Sequence, residues 1–394
     1  MRVSIVTATT GNPLLKQAIE SVQAQDYDNL EHIIVIDGKE REEAANQVLS
    51  SVTFTKPYHI LTLPYPTGLD GYVCHRIYGA SAYLVNGDYI VFLDDDNWFE
   101  PYHISSLVDL VYSKNLDWAY ALRNIVNSDG EFITQDNCES LGKDRVFTDY
   151  HHVDTNCYFI RKDIAVKLSP TWHKRYRESG LNADMILCDN LLRYFPNCDT
   201  NGLYSVNYRT DATEKSVKSS FFLYGNSLVK SQLPDGYPWR KELPNYQEEL
   251  KDNLQLREIN LITFPDWKIN DSELLKEDLN SIIKTILNHP EKTKINLLIF
   301  VPESLREEVE VFLWDLMLSF MEDNQLESDL PEITLVSEMS PVRWSYLITF
   351  LSGYVKINHQ DTNVLSQTVQ DKLNALSPEE ISKNKLSDVQ IVTI

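Results

Sequence analysis

The sequence predicts an α/β protein with a mostly parallel, doubly wound sheet, followed by a second and smaller α/β domain. Apolar runs of strand length alternate with amphipathic helical segments over the first hundred residues, and a second such series begins near Glu258. Alternating strands and helices place successive strands parallel, with helices on both faces of the sheet. Ligands of such sheets bind beside the carboxyl ends of the strands.

The elements of the first part follow from local periodicity. A first strand runs from Val3 to Thr7, and Asn12 before Pro13 starts a helix because a capping residue precedes a first-turn proline. The elements predicted after it are a strand from His32 to Ile36, a helix near 40–51, a strand from Tyr58 to Leu63, a helix near 71–84, a strand at 88–93 and a helix from Pro101 to about Ser113. A hairpin around Ser128-Asp129-Gly130 adds an antiparallel element.

The rest of the chain is predicted to hold a boundary, a second domain and a tail. Turn-forming residues are dense at 232–239, which we interpret as a domain boundary, a lid loop or both, and the wider loop 211–240 is predicted to close over a ligand. The predicted domains are 1–245, 246–361 and a polar tail at 362–394. The elements expected in the second domain are strands from Ile259, Ile295, Ile333 and Tyr354, and helices near 271–288, 303–323 and 341–352.

Composition excludes several classes of partner. With 36 Lys and Arg against 58 Asp and Glu, the net charge of −22 argues against binding to nucleic acid or to anionic lipid. No apolar run has the length of a membrane-spanning helix, and the first residues form a strand pattern rather than a signal peptide. We therefore expect no integral membrane segment and a cytoplasmic location. The five cysteines are odd in number and include no CxxC pair, so we expect reduced thiols.

The most informative motif is Asp94-Asp95-Asp96, directly after an apolar run that ends at Leu93. Carboxylates crowded at a strand end repel one another unless a positive group lies among them, and a divalent cation such as Mg²⁺ or Mn²⁺ prefers such oxygen ligands. Residues i and i+2 of an extended segment point the same way, so Asp94 and Asp96 are predicted to face one site and Asp95 to point elsewhere. Thr7-Ala8-Thr9-Thr10 and Asp37 end two further strands and should converge on the same edge.

Four segments of the first half form an ordered set, which consists of Val3 to Thr10, Gln17 to Tyr27, Val35 to Gly38 and Gly87 to Asp96. In this order and spacing they resemble a family 2 glycosyltransferase of the GT-A fold, and the last segment resembles the one that carries the family's DxD metal motif. The chain departs from the family at His75-Arg76-Ile77, where Arg-Asn is common, and at Ala183-Asp184-Met185, where Glu-Asp-Arg is common. The second domain resembles a Rossmann-like accessory domain appended to some bacterial transferases.

The resemblance implies an enzyme that moves a sugar from a nucleotide diphosphate sugar to an acceptor hydroxyl, with inversion of configuration. UDP sugars are the family's commonest donors, and the implied cofactor is a divalent metal, Mn²⁺ or Mg²⁺. The implied metal residues are Asp94 and Asp96, with Asp96 as the direct ligand. The implied nucleotide-binding residues are Thr7, Ala8 and Thr9 around the base and ribose, Asp37 on the base, Arg76 on the diphosphate, and Asp94 and Asp95.

An inverting transfer needs a general base that takes the proton of the acceptor hydroxyl. Asp184 is the candidate for this catalytic role, and Asp189 and Asp154 are the alternatives. The adjacent His151 and His152 are expected to be exposed or hydrogen-bonded rather than metal ligands, because neighbouring side chains point to different sides and no HxxxH spacing occurs.

The acceptor stays open between a growing glycan, a lipid-linked sugar, a protein and a small molecule. The alternative to an enzyme is a non-catalytic sugar-nucleotide-binding or scaffold protein with the same fold. A nicotinamide-dependent enzyme would need a glycine-rich turn after the first strand, and the segment from Thr7 to Asn12 holds a single glycine. That class is therefore excluded.

Overall fold

A computed structural model of the chain describes residues 1–174, 183–214, 216–269, 272–323, 330–369, 372–383 and 385–386. The chain divides into two compact units, which we call the N-terminal unit, Met1–Leu243, and the C-terminal unit, Pro244–Ile394. Each unit has its own sheet.

The N-terminal unit contains one mixed sheet with helices packed against it. Its strands are β1 Val3–Thr9, β2 Leu30–Ile36, β3 Tyr58–Thr62, β4 Tyr89–Asp94, β5 Trp98–Phe99, β6 Trp118–Val126, β7 Phe132–Gln135, β8 Tyr158–Arg161 and β9 Cys198–Arg209. Its α-helices are α1 Leu15–Gln23, α2 Glu42–Leu49, α3 His75–Ser81, α4 His103–Lys114, α5 Lys162–Leu168, α6 Ala183–Tyr194 and α7 Ser219–Gln232.

The sheet of the N-terminal unit is parallel at one end and mixed at the other. The strand order is β3-β2-β1-β4-β8-β6-β9-β5, and β7 pairs with β6 as the predicted hairpin. The first four strands in this order are parallel, whereas β8 runs antiparallel to both β4 and β6. Parallel pairing of β1, β2 and β4 brings their carboxyl ends to one edge. This confirms the predicted mixed α/β sheet with a second, smaller α/β unit.

The centre of this sheet is buried because its strands are apolar on both faces. Every residue of β1 and β2 is buried, whereas all five residues of the edge strand β3 are at least partly exposed. Leu15 and Ile19 of α1 pack on Ile34 and Ile36 of β2. The central strands therefore hold their carboxyl-terminal residues in fixed positions.

One predicted loop of the N-terminal unit is wrong. The segment 211–240, expected to be a loop throughout, contains the 14-residue helix α7. Phe222 and Val229 of this helix are fully buried, so an apolar face seven residues apart stabilises a helix where turn-forming composition suggested none. Residue 215 of this segment lies outside the described residues.

The C-terminal unit is a five-stranded parallel sheet between helices, in the order β12-β11-β10-β13-β14. Ile259 and Leu261 of its central strand belong to one apolar cluster, and Ile262 and Phe264 belong to another, so its two faces are covered separately. Its elements are α8 Tyr246–Asn253, β10 Ile259–Thr263, α9 Ser272–Leu287, β11 Ile295–Phe300, α10 Arg306–Asp323, β12 Glu332–Val336, α11 Pro341–Ile348, β13 Leu351–Val355, α12 Thr362–Thr368, β14 Ala375–Leu376 and α13 Pro378–Lys383.

The expected polar tail at 362–394 is wrong where the structure describes it. Strand β14 pairs with β13, and Ile381 of α13 is fully buried in the same apolar cluster as α9. Scattered apolar residues of this stretch are thus enough to dock two short helices and a strand on the sheet. The parts of the predicted tail at 370–371, 384 and 387–394 lie outside the described residues.

Within the described ranges, none of the helices has the length and apolar character needed to cross a membrane.

Candidate functional site

The carboxyl ends of β1, β2 and β4 open onto a cleft of about 780 Å³. The predicted site residues that line it are Ala8, Thr9, Asp37, Asp94, Asp95, Asp96, Asp154 and Asp184. Further lining residues, which the sequence did not suggest, include Arg41, Cys74, His75, Tyr208, Arg209, Ser216 and Val217. The structure therefore gathers residues from separate strand ends and from the later half of the N-terminal unit around one space.

Asp94 is held by protein donors on both carboxylate oxygens. The Tyr78 hydroxyl donates to Oδ1 at 2.7 Å, and the Asn156 amide donates to Oδ2 at 2.9 Å. The backbone N–H of Asp94 donates to Asn156 Oδ1 at 2.7 Å, which fixes the strand end itself. Burial raises the pKa of Asp94, and the charge of Asp154 adds to this, while the hydrogen bonds from Tyr78 and Asn156 oppose it.

Asp95 ties the end of β4 to the segment between β1 and α1. Its carboxylate accepts from the Thr9 hydroxyl at 2.6 Å and from the Asn12 amide at 3.4 Å. Burial raises the pKa of Asp95, and the Thr9 hydrogen bond lowers it. Asp95 also lines the cleft beside Asp94 and Asp96, although it was expected to point elsewhere.

Asp96 differs from its two neighbours. Arg209 donates to its backbone carbonyl at 3.1 Å, but among the described residues no side chain donates to its carboxylate. Burial, followed by the charges of Asp94 and Asp95, raises the pKa of Asp96 to about 7. A carboxylate in this state is the best placed of the three to take a positive ligand.

The donor set of the triplet fits a hard divalent cation, since it consists of carboxylate oxygens in a partly buried site. The Asp96 carboxylate is the one best able to bind a cation, because the carboxylates of Asp94 and Asp95 already accept hydrogen bonds from protein groups. No group of three or more His, Cys, Asp or Glu side chains is arranged to hold an ion in the part of the chain that the structure describes. A cation at Asp96 would thus need further oxygen ligands from water or from a bound anion.

Asp37 fixes the loop on the opposite side of the cleft. Its Oδ1 accepts from the Thr67 backbone N–H at 2.6 Å and from the Thr67 hydroxyl at 2.9 Å, and its Oδ2 accepts from Gly68 N–H at 3.0 Å. A side chain on Gly68 would meet the Val73 carbonyl at 2.6 Å, so only glycine permits this close approach. The carboxylate shapes this wall of the cleft.

Two predicted nucleotide residues do not reach the cleft lining. Thr7 is fully buried and its hydroxyl lies 2.9 Å from His32 Nε2. Arg76 donates to the Thr67 carbonyl at 3.1 Å and its guanidinium lies 3.6 Å from the centre of the Tyr72 ring. Among the described residues, the arginines that line the cleft are Arg41 and Arg209.

The three candidates for the base have different surroundings. Asp154 is buried, caps a short helical turn at Asn156 and pairs with the Arg123 guanidinium. Asp189 is half-exposed and lies 3.3 Å from His151 Nδ1. Asp184 lines the cleft, at the start of α6, and the residues that precede it in the predicted motif, 180–182, lie outside the described residues. Its position favours Asp184 over Asp189.

The Asp184 carboxylate is kept ionised by its neighbours. Its Oδ2 lies 3.2 Å from His152 Nε2. Burial opposes ionisation, but the hydrogen bond and charge of His152, and then the charge of His75, hold the pKa of Asp184 below its usual value. A carboxylate of this kind stays ionised throughout the neutral range and is available to receive a proton during a reaction.

A buried ion cluster, which the sequence analysis missed, joins the two sides of the cleft. Arg123 on β6 pairs with Asp136 at 2.8 Å, with Glu139 and with Asp154, and is 2% exposed. Asp154 accepts from the Asn156 amide at 2.8 Å, and Asn156 holds Asp94. One signal was present, since an arginine stands inside the apolar run Trp118–Val126, where a charge must be paired.

Three comparisons relate this chain to known proteins. Residues 4–168 match the model of the family described as glycosyl transferase family 2. Comparison with curated protein sequences found no match.

Solved structures of S. aureus TarS are similar to this chain at low identity. TarS 1-349 in complex with UDP-GlcNAc shares 12% identity with a TM-score of 0.41, covering 65% of this chain and 73% of that one. TarS 1-349 in complex with UDP shares 12% identity with a TM-score of 0.39, covering 74% and 82%. Both TM-scores lie below 0.5, so neither likeness bears on the function. The similarity that remains is the match over residues 4–168, which relates the N-terminal unit to glycosyl transferase family 2.

Proposed function

We propose that this protein transfers a sugar from a nucleotide diphosphate sugar to an acceptor hydroxyl, with inversion at the anomeric carbon. The observation that carries the proposal is one cleft in which the strand-end carboxylates, Asp37 and Asp94 to Asp96, stand together with Asp184. Convergent polar groups at strand ends in a cleft of this size are the usual form of a ligand site in an α/β protein.

The donor nucleotide is proposed to lie along the ends of β1, β2 and β4. Ala8 and Thr9 would contact the base and ribose, and the wall that Asp37 fixes would set the shape of the base pocket. Arg41 lines this side of the cleft. Its guanidinium is suited to bind anionic oxygens of the donor. We propose a UDP sugar as the donor, because UDP sugars are the family's commonest donors.

A divalent cation, Mn²⁺ or Mg²⁺, is the proposed cofactor. When bound, such an ion would neutralise charge that develops on the departing diphosphate. Asp96 would hold it, with Asp94 on the same side and the diphosphate oxygens as further ligands. Asp94 and Asp95 keep the strand end in place through Tyr78, Asn156 and Thr9, so that the Asp96 carboxylate does not have to move.

Asp184 is the proposed general base. As the acceptor oxygen bonds to the anomeric carbon, its proton passes to the Asp184 carboxylate, and the electron pair of the broken bond leaves with the diphosphate. Ionisation of Asp184 at neutral pH follows from its contact with His152. The C-terminal unit is proposed to be an accessory part that contacts the acceptor or another protein.

The proposal is tested by donor hydrolysis with the full-length protein. UDP, GDP and dTDP sugars are incubated with the protein and Mn²⁺, and the release of free nucleotide is measured, with water as the acceptor. We expect release from one class of donor, and loss of release in Asp96→Asn. Metal-dependent nucleotide binding without any release would contradict the enzymatic proposal and favour a sugar-nucleotide-binding protein.

A further inference from the structure

A line of buried polar groups leads from Asp184 into the interior of the N-terminal unit. Asp184 Oδ2 lies 3.2 Å from His152 Nε2, and Glu139 Oε1 lies 3.7 Å from His152 Nδ1. Glu139 in turn pairs with the Arg123 guanidinium. Since His152 is 4% exposed, bulk water does not solvate its ring, and its protonation state depends on these neighbours.

The count of charges around His152 favours the imidazolium. Arg123 already pairs with three carboxylates, those of Asp136, Glu139 and Asp154, and Asp184 adds a fourth at the far side of the histidine. One guanidinium cannot balance four carboxylates, of which Asp136 and Asp154 are buried and Glu139 and Asp184 are partly buried, and an uncompensated charge in such a place is costly. A neutral imidazole carries one N–H, whereas the imidazolium carries two and a full positive charge, so that it can donate to Asp184 from Nε2 and attract Glu139, at 3.7 Å from Nδ1, by charge alone.

The electrostatic surroundings agree with this geometry. Burial alone would lower the pKa of His152, but the charge of Glu139 and the hydrogen bond to Asp184 raise it to about 9, against the opposing charge of Arg123. Other titratable groups near the pair are Tyr150, whose ring lies 6.5 Å from that of His152, and His75, whose charge acts on Asp184. Tyr158, whose hydroxyl donates to the Asp184 carbonyl at 3.1 Å, and Cys188 also lie within reach of the Asp184 charge. His152 is therefore protonated at neutral pH.

We propose that His152 is a positioning residue for the general base, which as an imidazolium keeps the Asp184 carboxylate ionised and fixed in the cleft. The inference rests on the proposed function, in which Asp184 takes the proton of the acceptor hydroxyl. His152 keeps its own proton through that step and never touches the substrate. Its contribution is to hold the proton acceptor in one place, because small displacements of a reacting group cost large factors in rate.

The neighbouring residue supplies a matched control. His151 Nδ1 lies 3.3 Å from Asp189 Oδ1, so the two adjacent histidines each face one of the two candidate bases on α6. The side chains of the His151–Asp189 pair are 34% and 50% exposed, whereas those of the His152–Asp184 pair are 5% and 18% exposed. An exposed pair contributes little. The two pairs thus predict opposite results for the same substitution one residue apart.

The first experiment measures donor turnover by full-length His152→Gln and His151→Gln across pH. His152→Gln is expected to lower kcat by about 10- to 100-fold, as a misplaced base would, with nucleotide affinity unchanged. Wild-type turnover should fall above pH 9 as His152 loses its proton, and this limb should be absent from His152→Gln. In that variant the burial of Asp184 is no longer offset, so the acid limb should move to higher pH. His151→Gln should keep the wild-type profile.

A second measurement does not depend on activity. Among the nine histidines, the ring resonance of His152 is the one that His152→Gln removes from the NMR spectrum. It should titrate near pH 9 in the wild type and at least about one unit lower in Asp184→Asn and in Glu139→Gln, since each removes a carboxylate that stabilises the imidazolium. If His152→Gln does not fold, these two variants still identify the resonance by its displacement.

The outcomes separate this inference from the function on which it rests. A wild-type His152 that titrates near 6.5, or an active His152→Gln with wild-type kcat and pH profile, would overturn the positioning role. A wild-type protein that releases nucleotide from no donor, but whose His152 titrates near 9, would overturn the proposed function and leave the ion pair in place.

Discussion

The two units end their parallel strands in opposite ways. In the N-terminal unit the ends of β1, β2 and β4 open onto a cleft of about 780 Å³, and we call these strand ends the open edge. In the C-terminal unit the end of β10, which we call the closed edge, is covered by the chain itself. Pro265 forms a β-bridge with Gln360, and Asp361 N–H donates to the Phe264 carbonyl at 2.8 Å. A parallel sheet therefore supplies a place for a site, and the connecting segments decide whether that place is open.

Buried aspartates show the same contrast at the level of single carboxylates. Asp278 of the C-terminal unit accepts at 2.9 Å from the Asn358 amide, from the His359 backbone N–H and from His359 Nδ1. Asp96 of the N-terminal unit has no side-chain donor of this kind among the described residues, and its pKa is raised to about 7. A carboxylate that the fold satisfies with donors is structural, whereas one that the fold leaves without donors is available to a cation.

The largest expected effect is on the chemistry of the open edge. Asp184→Asn removes the proton acceptor and should lower kcat for transfer by about 10²- to 10⁴-fold, with little change in nucleotide affinity. Asp189→Asn is the control, since Asp189 is half-exposed and pairs with His151 outside the cleft lining. Steady-state kinetics of both variants decide between the two, and the reverse pattern would move the base to Asp189.

The next effect is on the cluster that supports the open edge. Arg123→Met leaves two buried carboxylates and the partly buried Glu139 without their cation and should lower the free energy of unfolding by about 3–5 kcal/mol. Arg161→Met also breaks pairs with two carboxylates, Asp117 and Asp163, but Arg161 is 41% exposed and the loss should stay below about 1 kcal/mol. Urea unfolding measures both, and equal losses would be inconsistent with a supporting role for Arg123.

Substitutions at the closed edge should lower the stability of the protein and leave its activity unchanged. Asp278→Ala leaves the donors on Asn358 and His359 without their acceptor and should cost about 1–3 kcal/mol of unfolding free energy. Asp266→Ala, which removes one exposed contact to Lys268, should cost less than about 0.5 kcal/mol. Neither change should alter donor turnover, so a fall in turnover with Asp278→Ala would show that the closed edge takes part in the reaction.

The smallest effect on activity is expected from removing the whole C-terminal unit. The described residues that line the cleft lie within Met1–Leu243, which has its own sheet and core. A protein that ends at Leu243 should therefore keep donor hydrolysis within about twofold, provided that circular dichroism shows it folded. Loss of hydrolysis in the folded shorter protein would mean that the C-terminal unit completes the donor site.

Local pattern in the sequence predicted the first half of the sheet and the strand-end aspartates. Apolar alternation marked β1, β2 and β4, and the triplet after β4 marked the site, because these features depend on neighbouring residues in the chain. The pairing of β6 with β9 joins segments about eighty residues apart, and no local pattern encodes it. The same holds for the Arg123 cluster, whose members come from three separate segments.

The direction in which a side chain points is the other feature that the sequence did not predict. Arg76 was expected at the diphosphate because its type and place suited the family pattern, yet its guanidinium lies over Tyr72, and Arg41 and Arg209 line the cleft instead. Whether a side chain faces a cleft depends on how its helix is rotated against the sheet. Sequence alone gives the residue type and its element, and the tertiary packing gives the direction.

The central claim is that the open edge binds a nucleoside diphosphate through a cation at Asp96. Calorimetry with UDP, GDP, dTDP and CDP, each with and without Mn²⁺, tests it most directly on the wild type and on Asp96→Asn. We expect one nucleotide to bind tightly with Mn²⁺ present, and the gain from Mn²⁺ to disappear in Asp96→Asn. Binding of no nucleotide by the folded wild-type protein, or equal metal-dependent binding by Asp96→Asn, would contradict the claim.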